Sequence, residues 1–120
     1  MQSLRTKETE TRYIESIKNR LNDGGCFFCD PKRQRLVKKF ANFVMIENDF
    51  PYDEVAETCH ILFPIRHIKN NELTEAEYQE LCEIKNTYMK DQKYDYLLEG
   101  VSKLSIPGHV HYHALTLKHK

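Results

Sequence analysis

Between Lys7 and Asn22 the apolar side chains Tyr13, Ile14, Ile17 and Leu21 recur three and four residues apart, with Glu and Lys filling the gaps. That period predicts an amphipathic helix, and Gly24-Gly25 supplies its stop. Cys26 to Pro31 follow as a tight knuckle, and Lys32 to Lys39 is a basic stretch without a clear period. Phe40 to Glu47, carrying Phe43, Val44 and Ile46, reads as a strand closed by the turn residues Asn48-Asp49 and by Pro51. Thr58 to Ile65 is a second β-favouring run. Thr74-Glu75-Ala76-Glu77 fits a capping box, with Leu73 and Tyr78 at the flanking staple positions, so a helix starts there. Leu81, Cys82, Ile84, Lys85 and Tyr88 carry its stripe to about Lys90. Tyr94 to Leu98 reads as a short strand, Glu99-Gly100 as a turn, and His109 to Leu117 as the final strand. Early strands, a helix, then two more strands predict an α+β fold: an antiparallel sheet with the helices packed to one side.

A length of 120 residues suits one domain, with an N-terminal helical segment over 1–25 and a core over 26–117. The 18 basic and 18 acidic side chains cancel, so no global field points to nucleic acid or a membrane as partner, although a local anion site is compatible with neutrality. No apolar run approaches the roughly 20 residues of a membrane-spanning helix, and Met1 to Arg12 is too polar for a signal peptide. Four cysteines without framework spacing then predict reduced thiols and a cytoplasmic protein. Cys59 and Cys82 read as small buried hydrophobes, whereas Cys26 and Cys29 form a C-x-x-C pair.

Chemistry concentrates in His109-Val110-His111-Tyr112-His113-Ala114-Leu115. In an extended chain the three imidazoles share one face, and Val110, Tyr112 and Ala114 take the other. Imidazole near neutral pH serves as nucleophile, proton carrier or metal ligand. A solvated polar face is a weak account of three histidines at period two. The C-x-x-C pair offers two of the four ligands of a structural Zn²⁺, and the bulky Phe27-Phe28 spacer disfavours a redox dithiol.

The pattern His-φ-His-φ-His-φ-φ, met without a mismatch from His109 to Leu115, resembles the signature of the histidine-triad (HIT) superfamily of nucleotide hydrolases and transferases. The likeness continues upstream. Asn48-Asp49-Phe50-Pro51-Tyr52 is similar to a ribose-contacting turn of that superfamily, and His60-Ile61-Leu62-Phe63-Pro64-Ile65-Arg66-His67 to its His-x-Leu-φ-φ-Pro-x-x-His strand. The resemblance implies a HIT-like sheet and attack at the α-phosphate of a nucleotide through a covalent nucleotidyl-histidine. Dinucleoside polyphosphates, nucleoside phosphoramidates and nucleotide sugars are all admissible substrates, with water or another phosphate as acceptor. It also implies roles. His111, the middle histidine, is the nucleophile; His113 contacts phosphate; Ser105 donates to the phosphate or the leaving group. Asn48 and Asp49 can each hydrogen-bond a ribose hydroxyl and also make a good turn for no functional reason, and the resemblance favours Asn48 as the ribose contact, with Phe43 or Phe50 against the base. In the zinc-bearing branch the histidine ending Pro-x-x-His and the first triad histidine complete the metal site, which makes Cys26, Cys29, His67 and His109 the ligands, with His60 the competitor of His67. Many HIT proteins are homodimers. Two departures stand out: Thr116-Leu117-Lys118 replaces the usual tail after the triad, and Pro107-Gly108 alters the glycine-rich approach to it. Two rival readings fit the residues: a non-catalytic, zinc-stabilised nucleotide-binding module, and a metal-dependent hydrolase using all three histidines as ligands.

Overall fold

The computed structural model describes residues 3–20, 26–101, 106 and 108–118, with residues 19 and 20 as backbone only. Five strands, β1 (Leu36–Lys39), β2 (Phe43–Glu47), β3 (Ala56–Pro64), β4 (Tyr96–Glu99) and β5 (Tyr112–Leu117), form one antiparallel sheet in the order β1-β2-β3-β5-β4. The last strand is thus braced on both sides, with His113 opposite Ile61 of β3 and Leu98 of β4. The α+β architecture expected from the order of elements is the one observed.

Alternation along the strands sorts the core into two faces. Phe43, Met45, Leu62, Val110, Tyr112 and Ala114 share one face with Leu81 and Ile84 of helix α2 (Glu75–Ile84) and with Met89. On the other face Ile46, Ile61 and Phe63 pack against Phe28 of the knuckle, beneath His109 and His111. Phe43 is completely buried on the α2 face, away from that histidine face, and this corrects its assignment as a base contact.

Helix α2 begins at the predicted capping box. The Thr74 hydroxyl accepts from Glu77 N–H at 3.1 Å, and Glu77 accepts from Thr74 N–H at 2.8 Å. The staple is not built as expected, because Leu73 packs against the core while Tyr78 stays exposed. Past Ile84 the helix widens into a π-helical turn over Lys85–Met89, which seats Met89 in the core. The second half of the basic stretch becomes the edge strand β1, whose lysines suit an edge that must not pair with another chain, while its start belongs to a 3-10 turn.

Helix α1 (Lys7–Arg20) forms as its period predicts, but its apolar stripe does not bind it to a core: Ile14 is exposed, and Thr9 is the buried residue among those described. Polar contacts hold it instead. Asp53 accepts from Thr6 N–H at 2.8 Å and from the Thr9 and Thr6 hydroxyls at 2.5 and 3.3 Å, and Glu54 N–H donates to Leu4 O. Burial alone would raise the Asp53 pKa, but these donors outweigh it and hold the carboxyl below its usual range. The helical stop at Gly24-Gly25 and the position of Leu21 lie outside the described residues.

Glu77, 3% exposed, also takes Arg66 in a two-point pair at 2.7 and 2.9 Å. That guanidinium, with the Thr74 donors, pulls its carboxyl down to about 2. A depressed carboxyl stabilises the fold above its unfolded pKa and ceases to as pH falls through the folded one. Glu77→Gln is therefore expected to lose about 1–2 kcal/mol in urea unfolding at pH 7, and its deficit relative to wild type should shrink as pH falls from 4.5 toward 2. A deficit constant over that range would show that the carboxylate charge does not matter.

Candidate functional site

The three triad histidines are buried and each is held differently. His109 donates from Nε2 to the Pro64 carbonyl at 2.7 Å, which leaves Nδ1 as an acceptor or ligand atom. His111 donates from Nδ1 to the carbonyl of His109 at 3.1 Å, which leaves Nε2 with a lone pair. His113 meets the Tyr52 hydroxyl through Nε2 at 3.2 Å, and its buried Nδ1 has no hydrogen-bond partner among the described residues. Burial pushes all three imidazoles down. For His113 this reaches about 3, with His111 and the Arg5 cation adding to the effect, so the ring is neutral at physiological pH.

Around His109 Nδ1 stand Cys26 Sγ at 3.5 Å and Cys29 Sγ at 3.6 Å, and Cys29 Sγ lies 3.3 Å from His67 Nδ1. The ligand atoms of Cys26, Cys29, His67 and His109 all fall within 4.8 Å of one another, a grouping compatible with a metal ion. Tetrahedral Zn²⁺ with bonds of about 2.3 Å to sulfur and about 2.0–2.1 Å to nitrogen separates neighbouring S and N ligands by about 3.5 Å, so the spacing suits that ion. The Pro64 carbonyl serves the outer role that metal-bound imidazoles need, since it fixes the tautomer that points Nδ1 inward. Two short 3-10 turns, Phe27–Cys29 and Pro31–Arg33, bring the cysteines around, with Asp30 capping the second through Lys32 N–H. Gly108 matters to the far side, because a Cβ there would lie 3.2 Å from His67 Nε2. Among the described residues this group contains a single triad histidine, and His111 and His113 stand outside it. His60 is on the opposite face, with Nδ1 2.6 Å from the Tyr94 hydroxyl.

Beside the triad a cavity of about 270 Å³ is lined by His111 and His113 at one end and by Phe27, Phe28, Ile61, Asn48, Asp49 and Phe50 along its walls. Phe28 ties knuckle to triad: its ring sits 4.8 Å from His111, 5.5 Å from His109 and 4.6 Å from Phe63. Asn48 spends its carbonyl oxygen on Phe50 N–H at 2.9 Å, the Asx turn its sequence context favours, while Asp49 is gripped by Arg35 at 2.8 and 3.2 Å. Arg5 and Tyr13, from the segment leading into and through α1, roof the cavity. Sequence reading passed over Arg5, Tyr13, Phe28 and the Tyr52 hydroxyl. Of these only Phe28 and Tyr52 had a local signal, lying inside the two motifs already singled out. Ser105 lies outside the described residues.

No protein-family model and no curated protein matches the chain. Solved structures do. A HIT family hydrolase from Legionella pneumophila Philadelphia 1 superposes with a TM-score of 0.58 at 20% identity, over 77% of this chain and 92% of that one. A histidine triad protein from Clostridium difficile gives 0.58 at 18% identity, over 79% and 91% of the two chains. A HIT family hydrolase from Clostridium thermocellum gives 0.54 at 20% identity, over 76% and 89%. At these identities the likeness establishes a shared fold.

Proposed function

We propose that the chain is a zinc-stabilised enzyme of the HIT superfamily that transfers a nucleotidyl group from a nucleotide substrate through His111, with water or a second phosphate as acceptor. The observation that carries this reading is the bond from His111 Nδ1 to the His109 carbonyl, which leaves Nε2 with a lone pair on a ring that lines the cavity. Phosphoryl chemistry needs a positioned nucleophile and fixed donors more than it needs covalent machinery. Nε2 attacks the α-phosphorus, a P–N bond forms, and the bond to the leaving group breaks with its electron pair, the leaving group then taking a proton from water. The acceptor oxygen next attacks phosphorus, loses its proton, and releases His111 neutral. His113, held by Tyr52, contacts the non-bridging oxygens. Phe27, Phe28 and Phe50 offer the walls for a base, and Asn48 and Asp49 the edge for a ribose. Cys26, Cys29, His67 and His109 would hold the zinc, which would supply a structural tie between the knuckle, with its Phe28, and the start of the triad strand. The fold shared with two HIT family hydrolases supports the reading. Among the described residues no helix is long and apolar enough to cross a membrane.

Brief incubation with a panel of nucleotides followed by intact-mass measurement is expected to show one nucleoside monophosphate added to wild type and none to His111→Ala. His111→Ala should keep its metal and its fold. His113→Ala should still react, roughly 10²- to 10³-fold more slowly. Absence of an adduct and of turnover across the panel would defeat the enzyme reading.

Metal analysis is expected to find one zinc per chain, and Cys26→Ser or His109→Ala to lower metal content and melting temperature together. Zinc retained in a Cys26→Ser, Cys29→Ser double variant, or released by His111→Ala, would overturn the ligand set.

A ribose held at Asp49 predicts that Asp49→Ala weakens binding of ribonucleotides more than of their 2′-deoxy analogues, by about 1 kcal/mol in calorimetric titrations. Equal losses for the two would assign Asp49 to the Arg35 pair alone.

A further inference from the structure

Arg5 is the one charged group of the cavity wall contributed by the segment ahead of α1, and its setting is unusual for a surface arginine. Its side chain is 11% exposed. Nε donates to the Phe50 carbonyl at 2.7 Å, and the guanidinium carbon lies 3.8 Å from the Tyr13 ring centre and 4.8 Å from that of Tyr52. The Tyr52 ring in turn stacks on His113, 4.6 Å between centroids, so cation, phenol and imidazole form one pile against the cavity. Among the described residues the carboxylate within pairing distance is Glu10, at a long 3.4 Å, and Glu10 also accepts from Ser3 at 2.9 Å.

The other charges lining the cavity each have a contact of their own. Glu47 and Asp49 are both paired with Arg35, at 2.9 and 2.8 Å, and Arg33 stands over Phe27 at 5.5 Å. Among the described residues lining the cavity, Arg5 is the cation tied to His113, through the Tyr52 ring, and the imidazoles below it are held toward neutrality by burial. Resting on the nucleotide reading above, we propose that Arg5 binds a phosphate group of the nucleotide at the His113 end of the cavity, so that the N-terminal segment provides the charge that the triad lacks. The fork is held by one backbone carbonyl, two aromatic faces and the long contact to Glu10, which preorganises it and limits the entropy lost on binding. Burial of the His113 ring, whose pKa it pushes down to about 3, agrees with a division of labour between a neutral imidazole and one fixed cation.

The test is calorimetric titration of wild type, Arg5→Gln and Arg5→Lys with the four 5′-ribonucleoside monophosphates, the four parent nucleosides and inorganic phosphate. For a mononucleotide that binds, Arg5→Gln should lose about tenfold to a hundredfold in affinity, the parent nucleoside should change by less than about twofold, and Arg5→Lys should recover most of the loss. Equal losses for nucleotide and nucleoside would make Arg5 a packing residue of the roof, and no loss would remove it from the site; either overturns the proposal and leaves the nucleotide reading standing. If wild type binds none of the mononucleotides, the nucleotide reading falls, and inorganic phosphate decides: affinity that drops in Arg5→Gln keeps the anion site, and absent or unchanged affinity rejects it. Should Arg5→Gln fail to fold, Glu10→Gln replaces it. Release of Arg5 from that carboxylate should tighten mononucleotide binding about two- to fivefold without affecting the nucleoside, and unchanged or weaker binding overturns the assignment.

Discussion

The bond from His109 Nε2 to the Pro64 carbonyl, 2.7 Å long and fully buried, decides the direction of everything around it. It places Nδ1 of the same ring toward Cys26 and Cys29, and the carbonyl of the same residue receives His111 Nδ1. One residue thereby sets the tautomer of two rings, its own through a neighbouring strand and the next through its main chain. Pro64 ends β3 and His109 lies just ahead of β5, so the accuracy of this relay depends on the pairing of two adjacent central strands. A register slip would reverse which side chains face the cavity, and the α2 face would oppose it by exposing Leu62, Tyr112 and Ala114.

That arrangement makes plain why the triad was legible and its supports were not. Alternation over seven residues is a side-chain signal, and the C-x-x-C pair is another; both survive in a bare sequence. The acceptors that orient the rings are main-chain carbonyls of Pro64 and His109, and a carbonyl has no signature because every residue carries one. Phe43 shows the related difficulty of parity. Its neighbour Val44 pairs with Phe63 on the histidine face, while Phe43 points into the opposite core, and which of two adjacent apolar residues faces the ligand is settled by the register with β3. Local order along β2 is silent on that point.

Helix α1 illustrates a different limit. Its period correctly predicted a helix, yet of its stripe Ile14 stays exposed and Tyr13 and Ile17 are only half-buried, since the sheet's second face is already covered by the knuckle and Phe28. Position is set by Asp53, forty-seven residues from Thr6, through bonds that only the tertiary structure brings together. Arg5 was equally hidden: a polar residue before a polar helix has no pattern to betray it.

The Asp53 anchor has a consequence for energetics. It binds the start of α1 to the segment that follows Asn48 to Tyr52, so the cavity's roof and one of its walls are tied together by hydrogen bonds. A molecule touching both is thermodynamically linked to the docking of the helix: at a concentration a hundredfold above its Kd it would deepen the docked state by about 2.7 kcal/mol, provided the undocked state does not bind it. Amide exchange along α1 would then report occupancy of a cavity that most of the helix never contacts, and the N-terminal segment would act as a built-in gauge of ligand rather than as a passive cover.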